Sequence, residues 1–169
     1  MDTDCWDPNP RQVRSGITYA PEDLCRFITM DSNPCLTFYG GEPHLSIDAI
    51  QSVMETVSGR CRFMLHTNGT LLDQVPGTVL TQLETIIVSI DGREKTHDRN
   101  RGRGTYRQIV ENCKKIHTMK IPADFIGRMT VTEDTDIYRT VHALYEVVCE
   151  ALPRVMACIR NNNRISGAV

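Results

Sequence analysis

Long hydrophobic runs are missing from this chain, and so is any surplus of charge of one sign. The longest apolar stretch, "TIIVSI", falls far short of the ~20 apolar residues that span a bilayer, so no membrane span is expected. Lys and Arg number 19 against 21 Asp and Glu, a net charge of −2 with the basic residues scattered. That leaves no electrostatic footprint for nucleic acid. No basic-then-apolar leader opens the sequence, so secretion is not expected. The seven cysteines are odd in number and irregular in spacing, which argues against a disulfide framework and for a reducing cytoplasm. Cys35, Cys113 and Cys149 are expected as buried thiols, because free cysteine usually behaves as a small core residue.

What is present fits one soluble globular domain: 169 residues, 40% apolar and 24% charged. Apolar periodicity switches repeatedly between two and 3.6. Residues 36–39 are short and β-prone. Ser46 can cap a helix with the stripe Ile47, Ile50, Val53, Met54 and Val57, stopped by Gly59. "RFMLHT" (62–67) reads as a strand, and 71–83 as a weaker helix interrupted by Pro76 and Gly77. "TIIVSI" (85–90) has the continuous apolar character of a strand buried on both faces of a parallel sheet. The charged segment "DGREKTHDRNRGRG" reads as a loop before a helix with Tyr106, Ile109, Val110, Cys113 and Ile116 on one face. Residues 123–131 form the next strand. Residues 137–150 form the next helix, with Val141, Leu144, Tyr145 and Val148 facing in; "RVMACI" after it could be a further strand. This βα repeat predicts an α/β fold with a parallel sheet. The alternative at "NG" (68–69) is a hairpin turn between antiparallel strands.

In parallel βα folds the C-terminal strand ends share one face, where ligands bind. That face should collect Gly40, Gly41 and Glu42 after the first strand, Thr67 and Asn68 after the second, and Ser89 and Asp91 at the third. In the fourth, Arg128 and Thr130 are expected on alternate faces. Each alone is ordinary turn chemistry. Together they describe a site with close backbone approach, a carboxylate, small hydrogen bonders and a guanidinium. That set suits a zwitterion carrying a sugar better than a bare phosphate.

These residues resemble the radical S-adenosylmethionine enzymes. "FYGGEP" resembles that family's GGE motif and "HTNGT" its TNG strand end. "VSIDG" followed by "HDRNRGRGTY" is similar to a segment of its peptide-modifying and sulfatase-maturing branches. The similarity runs from Cys5 to about Val148. It implies part of a (βα)6 barrel, a partial TIM barrel, holding a 4Fe–4S cluster and S-adenosylmethionine. Such an enzyme reductively cleaves S-adenosylmethionine to a 5′-deoxyadenosyl radical that modifies a peptide or protein side chain, with an electron donor as a further partner. Carried over by residue, Gly40, Gly41 and Glu42 would hold the ammonium of the cofactor's methionine. Asn68, Ser89, Arg101 and Arg128 would meet its ribose or carboxylate. Asp91 would serve cofactor or substrate as a catalytic residue, and Cys5 would be a metal ligand.

The departure lies at the start. The resemblance implies three cluster cysteines spaced C-x-x-x-C-x-x-C; Cys5, followed by Trp6, fits the third, and Asp2 stands where the second belongs. One thiolate does not hold a cluster that takes three from the protein. The expectation is a chain truncated at both ends, with the first strand and most of the cluster loop missing; a degenerate relative is the alternative. Residues 1–20 would be a remnant of that loop, 21–152 the core, and 153–169 an irregular tail. Two other functions stay open: a TIM-like hydrolase using Glu42 and Asp91 as an acid–base pair, and a non-catalytic nucleoside-binding remnant.

Overall fold

The computed structural model describes residues 20–131, 135–148 and 154–159. The elements run α1 (Pro21–Ile28), β1 (Cys35–Phe38), a 3-10 turn (Pro43–Ser46), α2 (Ile47–Thr56), β2 (Arg62–Thr67), a second 3-10 turn (Leu72–Gln74) and α3 (Gly77–Leu80). Then follow β3 (Thr85–Ser89), α4 (Glu94–Arg101), α5 (Thr105–Thr118), β4 (Asp124–Val131), α6 (Ile137–Val148) and β5 (Arg154–Ile159). The strands form one five-stranded sheet in the order β1-β2-β3-β4-β5, every pair parallel. Because each crossover adds its strand on the same side, the helices gather on one face of the sheet. That winding belongs to a barrel rather than to a doubly wound sheet, so the chain is an α/β portion of a parallel partial barrel. Residues 1–19, expected as a remnant of the cluster loop without the barrel's first strand, lie outside the described residues.

The core sits between the helices and that one face. Strand positions alternate, so Phe63 and Leu65, Ile86 and Val88, and Phe125 and Met129 point into it. Ile50, Met54, Val79, Leu80, Ile109, Ile116 and Leu144 meet them from the helices. Full burial of such side chains stabilises by about 1.5–3 kcal/mol each, which is what holds short helices such as α2 in place. The opposite strand positions form the inner face and carry Met64, His66, Ile87, Ser89, Ile126 and Arg128. Every β3 residue is buried, as its unbroken apolar run predicts. Among the described residues no helix is long and apolar enough to cross a membrane.

Several expectations change. β2 and β3 are parallel, so "NG" is no hairpin. Gly69 (φ +80°) turns the chain toward the helix layer, and a Cβ there would sit 2.8 Å from Val88 Cγ1. The charged loop contains a helix, α4, that lacks an apolar stripe and buries only His97, so periodicity gives it no signal. Ser46 stands at the α2 N-cap without a side-chain capping bond, and α2 ends at Thr56 with Val57 as its C-cap. Gly59 (φ +71°) therefore serves the turn beyond the helix. Among the described side chains of α6, Ala143 and Leu144 are buried and Val141 packs partly buried against the core, as expected for Val141 and Leu144, whereas Tyr145 is exposed; the Val148 side chain lies outside the described ones. The helix passes close over Gly92, where Thr140 fills the space of a Cβ. Cys113 is buried as expected, whereas Cys35, first residue of β1, is exposed; Cys149 lies outside the described residues. Arg128 and Thr130 share one face, being two residues apart on a strand. The sheet also continues past the boundary expected at 152, because Arg154–Ile159 pairs in register along β4 from Ile126 to Val131.

Candidate active site

β1 leads into Gly40 (φ +112°) and Gly41 (φ +56°). A Cβ at either would meet nothing within 4 Å, so glycine serves the backbone conformation there and not a tight contact. The turn delivers Glu42 to the end of the neighbouring strand, where its carboxylate is held from three directions. Thr67 Oγ1 donates to Oε1 (2.7 Å) and the Asn68 N–H donates to Oε2 (2.9 Å). His44 Nδ1 also contacts Oε1. Burial alone would raise the Glu42 pKa, but these bonds from His44, Asn68 and Thr67 outweigh it and hold the carboxyl below its ordinary range. A carboxylate offers about four lone-pair sites. Among the described residues three are used, and one on Oε2 remains. His44 is itself buried, and its Nε2 has no hydrogen-bond partner among the described residues.

The β2 end is built as tightly. Asn68 Oδ1 accepts the Thr70 N–H (2.8 Å) and its hydroxyl (2.6 Å). Asn112, buried on α5, donates to the carbonyls of Gly69 (3.0 Å) and Thr70 (2.9 Å). Asn68, Thr70, His97, Asn100 and Arg101 line a cavity of about 320 Å³ beside this turn.

At the β3 end Asp91 is locked. Arg101 Nε and Nη2 donate to its two oxygens (2.8 and 3.2 Å), and the Thr130 N–H donates to Oδ1 (2.9 Å). Burial pushes the Asp91 pKa up, but the Arg101 bond and the Thr130 N–H outweigh it and hold the carboxyl low. The Asp91 N–H in turn donates to His97 Nδ1 (3.1 Å). The Asp91 side chain is only 6% exposed, so this pair braces the strand end.

Ser89 and Arg128 are register partners on β3 and β4. His66, on the inner face of β2, meets both: its Nε2 is 3.2 Å from Ser89 Oγ, and Arg128 Nη1 lies 2.8 Å from Nε2 and 3.4 Å from Nδ1. Tyr39 stacks on the His66 ring at 4.7 Å and 19°. Burial first, then the Arg128 and Arg101 charges, lower the His66 pKa, against a smaller opposing pull from Glu42. The structure thus brings Glu42 and Asn68 into direct contact and links Ser89 to Arg128 through His66, while Asp91 and Arg101 hold each other. Sequence reasoning missed Tyr39, His44, His66 and Asn112. For His66 a signal existed, since counting by two from buried Phe63 and Leu65 puts it on the inner face.

A family profile described as a 4Fe-4S single cluster domain matches residues 3–111, well over half of the chain. The chain belongs to that family, and to the radical S-adenosylmethionine superfamily. A curated relative, the Fe-coproporphyrin III synthase of Methanosarcina barkeri (strain Fusaro / DSM 804), is 27% identical over 139 residues, which is 79% of this chain and 33% of that protein. Among solved structures, native anSMEcpe with bound AdoMet matches with a TM-score of 0.68 at 18% identity, over 93% of this chain and 47% of that one. Streptococcus suis SuiB bound to S-adenosylmethionine matches with a TM-score of 0.66 at 14% identity, over 90% of this chain and 36% of that one. At these identities the structural likeness establishes the fold. The chain spans about a third of the curated relative and less than half of these two structures.

The cofactors of such radical S-adenosylmethionine proteins are a 4Fe–4S cluster and S-adenosylmethionine. For the cluster, no group of three or more His, Cys, Asp or Glu among the described residues is placed to hold a metal ion, and Cys5 lies outside them. For S-adenosylmethionine the residues fit: a buried carboxylate with one acceptor position left over, an unpartnered imidazole nitrogen beside it, and a guanidinium and a hydroxyl on the adjoining inner face.

Proposed function

We propose that the whole protein is a radical S-adenosylmethionine enzyme that modifies a peptide or protein side chain, and that this chain carries its cofactor-binding part. When bound, the cluster and S-adenosylmethionine supply reductive cleavage to a 5′-deoxyadenosyl radical, the electron coming from an external donor. The chain's own residues bind and orient. Glu42 accepts the ligand's ammonium on the remaining Oε2 position, with the carbonyls of Gly40 and Gly41 close by. Ser89, Arg128 and Asn68 take the carboxylate and ribose. Asp91 and Arg101, spent on each other, act as positioning residues that fix the β3 end. Residues 1–20 belong to the cluster loop, and the core runs on through β5 to residue 159.

The observation that carries this reading is the Glu42 carboxylate, buried at a strand's open end, kept ionised, and left with one unused acceptor position. A carboxylate serving only a turn has no use for two donors from a second strand end and a third partner, His44, in its own turn. The hydrolase reading loses support from the same geometry, since a general acid needs a raised pKa and both Glu42 and Asp91 are held low. Support for a peptide substrate comes from SuiB, a fold neighbour solved with its precursor peptide SuiA.

The test is an amide NMR titration of the chain with S-adenosylmethionine. Shifts confined to Gly40, Gly41, Asn68, Ser89 and their neighbours are expected. Saturable binding that moves the helix layer and leaves these amides in place would overturn the assignment.

A further inference from the structure

The turn after β2 is held from behind, by a group on α5. Gly69 lies against the helix layer, where a Cβ would come within 2.8 Å of Val88 Cγ1 and 3.2 Å of Ile109 Cγ2. Asn112, only 3% exposed, donates to the Gly69 and Thr70 carbonyls (3.0 and 2.9 Å). Carbonyl oxygens only accept, so it is the NH2 end of Asn112 that meets them. Thr70 O has a second donor in Gln108 Nε2 (2.9 Å). Gly69 O, among the described residues, otherwise receives only a long contact from the Leu72 N–H (3.4 Å). Its partner at ordinary hydrogen-bond length is Asn112.

One peptide unit links that bond to the site. The Gly69 carbonyl and the Thr70 N–H belong to the same planar group, and the Thr70 N–H donates to Asn68 Oδ1 (2.8 Å). Asn112 and the Asn68 side chain thus grip opposite edges of one peptide plane. With its oxygen taken by the Thr70 N–H and hydroxyl, Asn68 keeps its NH2 group for a ligand. Glycine gives the 69–70 peptide freedom to rotate, and a rotated peptide would turn the Thr70 N–H away from Asn68.

We propose that Asn112 is a positioning residue for the cofactor site: it holds the Gly69–Thr70 peptide in the orientation that locks the Asn68 side chain for bound S-adenosylmethionine. The inference rests on the proposed function, in which Asn68 meets the ligand's carboxylate or ribose. Asn112 itself stands behind the turn and touches no ligand. An asparagine that merely satisfies two buried carbonyls matters for stability and leaves affinity alone. One that positions Asn68 matters for affinity, and only while the Asn68 side chain is present.

The experiment is a double-mutant cycle, read by anaerobic calorimetric titration of S-adenosylmethionine into the full chain, Asn68→Ala, Asn112→Leu and the double variant. Leucine keeps the branched shape of asparagine and removes its donors. Each single change should weaken affinity roughly 2- to 10-fold, the worth of one neutral hydrogen bond. The double variant should bind no more weakly than Asn68→Ala, the non-additivity expected of two residues acting through one contact. An Asn112→Leu loss of equal size with and without the Asn68 side chain overturns the proposal. So does an Asn68→Ala loss that Asn112→Leu does not share. Equal affinity in all four proteins removes Asn68 from the site and the inference with it. A parent chain that does not bind S-adenosylmethionine saturably overturns the proposed function as well. Should Asn112→Leu fail to fold, NMR of the unaltered chain decides. The Asn112 side-chain NH2 should exchange far more slowly than that of exposed Asn33 and shift together with the Asn68 side chain on ligand binding. Asn112 protons that exchange like those of Asn33, or stay in place while Asn68 moves, overturn the proposal.

Discussion

The carboxylates of Glu42 and Asp91 differ in what their hydrogen bonds leave over. Asp91 is closed by a forked guanidinium and a backbone N–H, whereas Glu42 keeps an open acceptor position. Both have pKa values below those of free side chains. A carboxyl whose folded pKa is depressed adds stability that is fully present above its unfolded pKa, near 4. That stability is lost as pH falls through the folded value. Urea stability should thus fall modestly below about pH 6.5, where the unfolded chain protonates His66 and His97, whose folded pKa values are lowered by burial, and drop more steeply below about pH 4 as the two carboxylates protonate. Asp91→Asn should lower the neutral-pH stability by roughly 1.5–3 kcal/mol, the worth of a charge-assisted hydrogen bond, and flatten the acid limb. Urea unfolding at a series of pH values checks both, and an acid limb as steep in the variant as in the parent would count against the Asp91 assignment.

The α4–α5 junction shows how an element without apolar periodicity is specified. Asp98 on α4 receives the Gly104 N–H (2.6 Å) and the Tyr106 N–H (3.0 Å), satisfying donors at the start of α5 that no helical partner can take. His97, adjacent, turns inward to Asp91 and packs edge-on to Tyr106. Asp98→Ala should speed hydrogen exchange at Gly104 and Tyr106 while leaving β2 and β3 amides protected; unchanged exchange at both would contradict the capping role. This junction also marks where sequence reading ends. β2, β3, β4 and the inward faces of α2 and α5 were legible, because burial on one side imposes a period of two or 3.6. The strand-end residues Gly40 to Glu42, Asn68 and Ser89 were legible because parallel topology sends them to one face. α4 was not, since its residues are chosen for polar contacts with Asp91 and α5, which leave no periodic trace. His44 and His66 escaped for a similar reason: their roles come from partners on other elements, Glu42 in one case and Ser89 and Arg128 in the other.

At the scale of the molecule, five parallel strands wound in one direction leave an inner face whose polar residues cluster toward the C-terminal ends. Among the described residues, the helix layer stabilises the sheet and brings few polar groups, chiefly His97, Asn100, Arg101 and Asn112, to the neighbourhood of that face, so the site can be altered with little change to the core. The proposed site depends most on Glu42 as the anchor for the ammonium of S-adenosylmethionine. Anaerobic calorimetric titration of S-adenosylmethionine into the protein and its Glu42→Gln variant tests it most directly. Removing the charge while nearly keeping the shape should forfeit a hydrogen bond to a charged group, about 1.5–3 kcal/mol, and weaken affinity roughly 10- to 150-fold with the circular dichroism unchanged. A folded variant that binds within twofold of the parent would contradict the claim.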